Sequence, residues 1–158
     1  MYKRQALACA AQMLGVSDRL IELAVQYACE RRQFGVAIGS FQAVKHMLAD
    51  VKVKLEYARS LVYRAAHSVC RDTPSRAVHV SMAKVAASET AARAASTALQ
   101  VHGAIGYTWE QDLHVWMRRA WSLQLAWGSA AWHRERVSRA VIDRELPAET
   151  FGYQAPAA

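Results

Sequence analysis

FQAVKHMLADVKVKLEYARSLVYRAAHSV, Phe41 to Val69, is the stretch from which the fold class follows. Phe41, Val44, Leu48, Val51, Leu55, Ala58, Val62, Ala65 and Val69 recur in steps of three and four. That spacing paints one apolar stripe along a helix about 43 Å long at the standard rise. A stripe of that length has to lie against other helices. Off the stripe, Lys45, Lys52, Lys54, Arg59 and Arg64 alternate with Asp50 and Glu56, and a pair such as Asp50 and Lys54 has the spacing of helix-surface partners.

Reading outward, Asp72-Thr73-Pro74-Ser75 breaks the pattern and offers Ser75 as an N-cap. A third helix is expected over about Ser75 to Val101, with Val78, Met82, Val85, Ala92, Ala95 and Leu99 turned to the core and Glu89 on that face bonded to a lysine or arginine of a neighbour. Upstream, Met13, Val16, Leu20, Leu23 and Tyr27 mark one face of a first helix. Met1 to Gln5 followed by an apolar hexad resembles a signal peptide superficially. The apolar run breaks at Gln12 while the helical period continues, so the helix is preferred. Beyond the third helix come a short helical region from Gln111 to about Ala126 and a last helix from Ser129 to about Arg144, with Val137, Ala140 and Val141 inward and Pro147 ending it. The expected architecture is all-α, an up-and-down four-helix bundle over 6–146 with a short extra helix before the last. Residues 1–5 form an atypical or truncated start, and 147–158 a loose tail.

A chain of 158 residues that is 53% hydrophobic can bury a core without disulfides or a structural metal. Cys9, Cys29 and Cys70 lie far apart, which points to a reducing, cytoplasmic setting rather than to zinc or a disulfide framework. The net charge of +7 is dispersed, so nucleic acid is not expected as a partner. No run reaches the ~20 apolar residues of a membrane span. No histidine follows a glutamate at the i+3 position of a di-iron bundle, and neither a nucleophile elbow nor a P-loop is present. The five tryptophans, Trp109, Trp116, Trp121, Trp127 and Trp132, all fall late in the chain and are expected to pack the core and a subunit interface.

Two turns carry the functional signal. In Leu99-Gln100-Val101-His102-Gly103-Ala104-Ile105-Gly106-Tyr107-Thr108-Trp109-Glu110 a helical pattern stops at spaced glycines, whose backbone an anionic group can approach closely. Thr108 could cap the next helix with Glu110 in its first turn, and His102 reads as a partly buried histidine bonded to backbone. By itself this turn also fits a ligand-free C-cap. The second, Arg31-Arg32-Gln33-Phe34-Gly35-Val36-Ala37-Ile38-Gly39-Ser40-Phe41-Gln42, again couples glycine with arginine, an aromatic and amides.

Together, R-x-Q-F-G-x-x-I-x-x-F-Q and Q-x-H-G-x-x-G-Y-T-x-E resemble the C-terminal helical domain of the acyl-CoA dehydrogenases, over roughly Ala6 to Glu145. The resemblance implies FAD as cofactor, acyl-CoA as substrate, and a homo-oligomer or a hetero-oligomer with a related subunit. An electron-transfer flavoprotein would be the acceptor. It places Arg31 at the pyrophosphate of a neighbouring subunit's FAD, where a guanidinium makes charge-assisted bonds. Gln33, Phe34, Ile38 and Gln42 would pack around its adenosine part, and Gln100, Gly103 and Ala104 would touch the nucleotide. Ala104 stands where the family usually has a second glycine.

The family's reaction removes a proton α to the thioester and needs a carboxylate base in a dry pocket. In many members that base is the glutamate of a tyrosine-glutamate-glycine-threonine segment. Here the segment reads Ala126-Trp127-Gly128-Ser129, so Trp127 occupies the base position and Ser129 keeps a hydroxyl for the flavin. The other known base position falls near Gln5, and no carboxylate precedes Asp18. Two readings stay open: the C-terminal domain of a flavin-dependent dehydrogenase whose base comes from elsewhere, or a non-catalytic assembly subunit completing the FAD site of an active paralogue.

Overall fold

The computed structural model describes residues 3–143. It is all-α apart from one short hairpin. Helix α1 spans Lys3–Glu30, α2 Gln42–Cys70, α3 Arg76–His102, α4 Leu113–Leu125 and α5 Ala130–Ile142. Between α1 and α2 lie the two-residue strands β1 (Arg32–Gln33) and β2 (Val36–Ala37) and a 3-10 turn, Ile38–Ser40; a second 3-10 turn, Gly103–Tyr107, follows α3.

The direction of each long helix can be read from its contacts. Tyr27 stacks on His102 with ring centroids 4.4 Å apart, while Ala6 and Val80 line one cavity at the opposite end. Helices α1 and α3 therefore run the same way, with α2 antiparallel beside them. Helix α4 returns: its Arg119 bonds Gln12 of α1, and the Gln124 carbonyl near its end accepts from Lys84 in α3. Helix α3 packs against α1, α2, α4 and α5.

The α2 stripe behaves as expected from Val51 to Ala65, with Val51, Leu55, Ala58, Val62 and Ala65 buried and Val44, Leu48 and Val69 against the core; Phe41 is exposed. On α1, Met13, Val16 and Leu20 are buried, and Leu23 and Tyr27 pack over them. Truncating Leu20 or Leu55, both fully buried, to alanine should cost about 2–5 kcal/mol. Asp18 ties α1 to α2 by bonds from Arg59 at 2.7 Å and Lys52 at 3.3 Å. Partial burial alone would raise its carboxyl pKa, but these two cations hold it below the usual carboxylate value.

Helix α3 departs from the expected pattern. Of the residues turned inward on paper only Ala95 is buried; Val78, Met82, Val85 and Leu99 are half-buried and Ala92 is exposed. The buried surface instead comprises Val80, Ala83, Ala87, Ala91, Ala94, Ala98 and Val101, with Lys84 and Ser88 among them. The physical reason is that α3 is covered by four other helices, so small residues suit most of its circumference and no single large-residue stripe is needed. Glu89 is exposed and bonds Arg134 of α5, a neighbouring arginine as expected.

Smaller corrections follow from local geometry. Ser75 directly precedes α3 but its side chain does not cap it. Thr108 donates to the Ile105 carbonyl at 2.8 Å instead of capping α4, whose N-cap position is Asp112, so Glu110 lies outside the helix. Val141 faces solvent, whereas Ala140 is buried. Among the tryptophans Trp116 packs on the core, while Trp109, Trp121, Trp127 and Trp132 are each about half-exposed or more. The last residues of the expected final helix, Pro147 and the tail lie outside the described residues. Among the described residues, no helix is long and apolar enough to cross a membrane, and no cluster of metal-ligating side chains is present.

Candidate functional site

At one end of the bundle the chain leaves α1 through a hairpin invisible in the sequence pattern. Gln33 pairs with Val36, and the two residues between them, Phe34 and Gly35, have φ of 53° and 79°. Two successive left-handed residues are the geometry that lets a two-residue loop follow strand twist. Arg31 anchors both sides of this loop through its backbone, donating to Tyr27 O and accepting from Ile38 N, each at 2.8 Å. Ile38 then packs on the core, and Gly39 passes close to α1: a Cβ there would lie 3.0 Å from the Ala28 carbonyl oxygen. The backbone is thus fixed while the side chains of Arg31, Gln33 and Gln42 are left exposed, and Phe34 at the tip is 92% exposed.

The turn after α3 lies beside this hairpin. Gly103 closes α3 with φ 64° and ψ −141°, a conformation that favours glycine, its N–H bonded to Leu99 O. His102, buried, bonds the Ala98 carbonyl at 2.7 Å through Nδ1 while stacking on Tyr27, which joins the C-terminal ends of α1 and α3. Gln100, Gly103 and Ala104 are exposed. The structure therefore brings Arg31, Gln33, Phe34, Ile38, Gln42, Gln100, Gly103 and Ala104 to one end of the bundle.

Ser129 is elsewhere. It belongs to the α4–α5 turn, which contacts α3 at Lys84, about 27 Å before His102 at the standard helical rise. Its Oγ accepts the Trp132 N–H at 3.3 Å, capping α5 and leaving its own proton to donate. In this turn Trp127 has φ 59° and Gly128 φ 102°. A bulky residue in the left-handed region needs support from its surroundings.

That support comes from two residues absent from the sequence reading. Lys84, with 0% exposure, donates to Gln124 O at 3.0 Å, Gly128 O at 3.1 Å and Ser88 Oγ at 3.4 Å. All three ammonium protons have acceptors, one of them a carbonyl left open at the end of α4. His133, also buried, has Nε2 at 3.0 Å from the Trp127 carbonyl and Nδ1 at 3.1 Å from Ser81 Oγ. Burial lowers the pKa of both groups, and the Lys84 and Arg136 charges lower that of His133 further. Neutral His133 then donates from Nε2 to Trp127, and its Nδ1 faces Ser81 Oγ, whose hydroxyl donates to the Ala77 carbonyl at 3.1 Å. The one available clue was Lys84 itself, a lone cation between Val80 and Ala91 in a row of small residues.

The family model described as "Acyl-CoA dehydrogenase, C-terminal domain" matches residues 2–142. The chain belongs to the acyl-CoA dehydrogenase family. It is 44% identical over 115 residues to the acyl-CoA dehydrogenase IpdE2 of Mycobacterium tuberculosis, covering 73% of this chain and 34% of that protein. It is 36% identical over 145 residues to the 3-sulfinopropanoyl-CoA desulfinase of Paraburkholderia xenovorans, covering 92% and 37%. A chain in the ChsE4-ChsE5 complex from Mycobacterium tuberculosis superposes with a TM-score of 0.85 at 31% identity, over 90-odd per cent of this chain (93%) and 39% of that one. This acyl-CoA dehydrogenase family chain thus spans a little over a third of the length of the relatives it matches. Its helical fold is that of the family's C-terminal domain.

Proposed function

We propose that this chain serves as the C-terminal part of a flavin-dependent acyl-CoA dehydrogenase, supplying FAD contacts and the subunit interface while the catalytic carboxylate comes from elsewhere. The observation that carries the reading is the end of the bundle where Arg31, Gln33, Phe34, Gln42 and Gln100 converge with their side chains exposed on a backbone held by close packing. These side chains contribute little to this chain's own fold and are available to a ligand held by a second subunit. The donor set suits a nucleotide: a guanidinium for phosphate, amides for base or ribose, and a glycine turn at positive φ that exposes backbone. Arg31, Gln33, Phe34, Ile38, Gln42, Gln100, Gly103 and Ala104 would hold the dinucleotide of a neighbour's FAD, and Ser129 would reach a flavin at the other end. FAD, when bound, supplies the oxidising capacity that α,β-desaturation of an acyl-CoA requires.

Ser129 belongs to the turn held by Lys84, which lies about 27 Å along α3 from His102, and that span favours two different flavins over one shared pocket. Assembly as a homo-oligomer, or with a related subunit, follows from that arrangement. Trp127 favours the second form of this reading: an indole cannot accept the α-proton, so the chain acts as an assembly subunit for a paralogue that carries the glutamate. The similar chain in the ChsE4-ChsE5 complex is itself part of a complex, which supports assembly with a second subunit. Electrons would leave to an electron-transfer flavoprotein. The test is acyl-CoA-dependent reduction of an artificial electron acceptor, first with the pure chain and then with a glutamate-bearing paralogue. No reduction by the chain alone and reduction by the pair is expected; turnover by the pure chain would overturn the reading.

A further inference from the structure

We propose that the outer face shared by α2, α3 and α5 is where a second copy of this chain docks, the two copies related by a two-fold axis. The starting point is the inversion of α3. Its small residues pack the interior, while Val78, Met82, Val85 and Glu89, spaced four, three and four, form a stripe that is left half-buried or exposed. Met82 and Val85 line a groove of about 230 Å³ that Leu61 of α2 and Val137 of α5 complete. A second groove, of about 320 Å³, is lined by Ser60, the residue before Leu61, and by the exposed Val53 and Tyr57. Val53 and Tyr57 each stand two residues beyond a member of the buried stripe, Val51 and Leu55, and so lie across α2 from it. A helix with apolar residues on two opposite faces needs cover on both. Contiguous apolar surface with a polar rim marks a contact between proteins.

Charge identifies the occupant. Each groove is lined by one cation and one carboxylate, Lys52 with Glu56 and Arg134 with Glu89, and the two members of each pair are bonded to one another. In a chain of net charge +7, these balanced rims let two copies approach without mutual repulsion. A rim that holds both signs is also complementary to itself. In a two-fold contact residue i of one copy meets residue j of the other and j meets i, so each carboxylate can face the partner copy's cation. A strongly acidic or strongly basic partner finds no such match here. Tyrosine and methionine inside a charged edge are the composition of a protein–protein contact.

Docking through this face rests on the assembly role proposed above, but its test contains neither FAD nor acyl-CoA. Assembly only with a related subunit would leave that role standing and overturn self-docking. The full chain is followed by sedimentation velocity over a range of concentrations, and reversible self-association is expected. Val53→Lys and Tyr57→Lys, both at exposed positions, should each weaken it about tenfold or more. Leu125→Lys, which replaces an exposed apolar side chain on α4, should leave it unchanged. Glu89→Arg leaves only cations on the rim of the α3–α5 groove, and Arg134→Glu leaves only carboxylates. Each of these two variants alone should associate more weakly than the parent, and their equimolar mixture should recover because opposite rims then meet. Circular dichroism checks that each variant is folded. A parent that stays monomeric, unchanged association in folded Val53→Lys and Tyr57→Lys chains, an equal loss in Leu125→Lys, or no recovery in the mixture would each overturn the proposal.

Discussion

The hairpin after α1 and the turn between α4 and α5 both place non-glycine aromatics at positive φ, yet the two are held in opposite ways. Around Phe34 the backbone is fixed by main-chain bonds and one close approach at Gly39, and the side chains point away. Around Trp127 the carbonyls of Gln124, Trp127 and Gly128 are bound from within by the buried side chains of Lys84 and His133. The first region presents chemistry outward at little cost to the core. The second draws its shape from the core and should share the core's stability.

The widest difference should appear with Lys84→Met. It removes a cation of similar length and leaves two carbonyl oxygens without their donor, so a loss of about 3 kcal/mol is expected in urea unfolding. A loss under about 0.5 kcal/mol would mean that relief of the buried charge cancels the broken bonds and that the contrast fails. Next come the two glycines. At Gly128 a Cβ would meet His133 Nε2 and Trp132 Cε3 at 2.9 Å and adopt φ 102°, so Gly128→Ala should cost about 2–3 kcal/mol. At Gly103 there is open space, but φ 64° with ψ −141° is a conformation that side chains avoid, so Gly103→Ala should cost about 2 kcal/mol from backbone strain alone.

The pH dependence of stability sharpens the comparison. The folded pKa of His133 lies below its ordinary 6.5, so below that pH the unfolded chain binds the proton first. Its contribution is intact above pH 6.5 and declines as pH falls toward the folded pKa. His133→Gln keeps a donor for Trp127 O and a polar atom facing Ser81 Oγ without titrating. Denaturation midpoints at pH 7.5 and 5.5 should therefore differ less in this variant than in the parent. The smallest effects belong to the outward-facing end, where Arg31→Ala and Phe34→Ala should each change stability by less than about 0.5 kcal/mol. A larger loss would make those side chains part of this chain's own packing.

How much was legible in the sequence depended on contrast. Helix α2 buries one face, and its stripe of large residues against lysines and carboxylates gave that face directly. Helix α3 is enclosed by several neighbours, and alanine on nearly every side removed the contrast, so its larger residues were assigned inward when they lie half-buried. Size argued for the core and a subunit interface as the place of the tryptophans: Trp116 packs on the core, and the other four lie at the surface of this chain. The residues of the exposed end around the hairpin were legible as a motif, though neither the two-residue strands nor their union with the Gly103 turn through Tyr27 and His102 was. Lys84 and His133 escaped notice because their bonds go to backbone carbonyls far along the chain, and a carbonyl leaves no mark in a sequence.

The most direct measurement of the central claim is flavin absorbance co-eluting with the chain after incubation with excess FAD, in parent and Arg31→Ala proteins of equal stability. The account predicts flavin retained by the parent assembly and lost from the variant. Equal retention by both, or none by the parent even with a glutamate-bearing paralogue present, would contradict it.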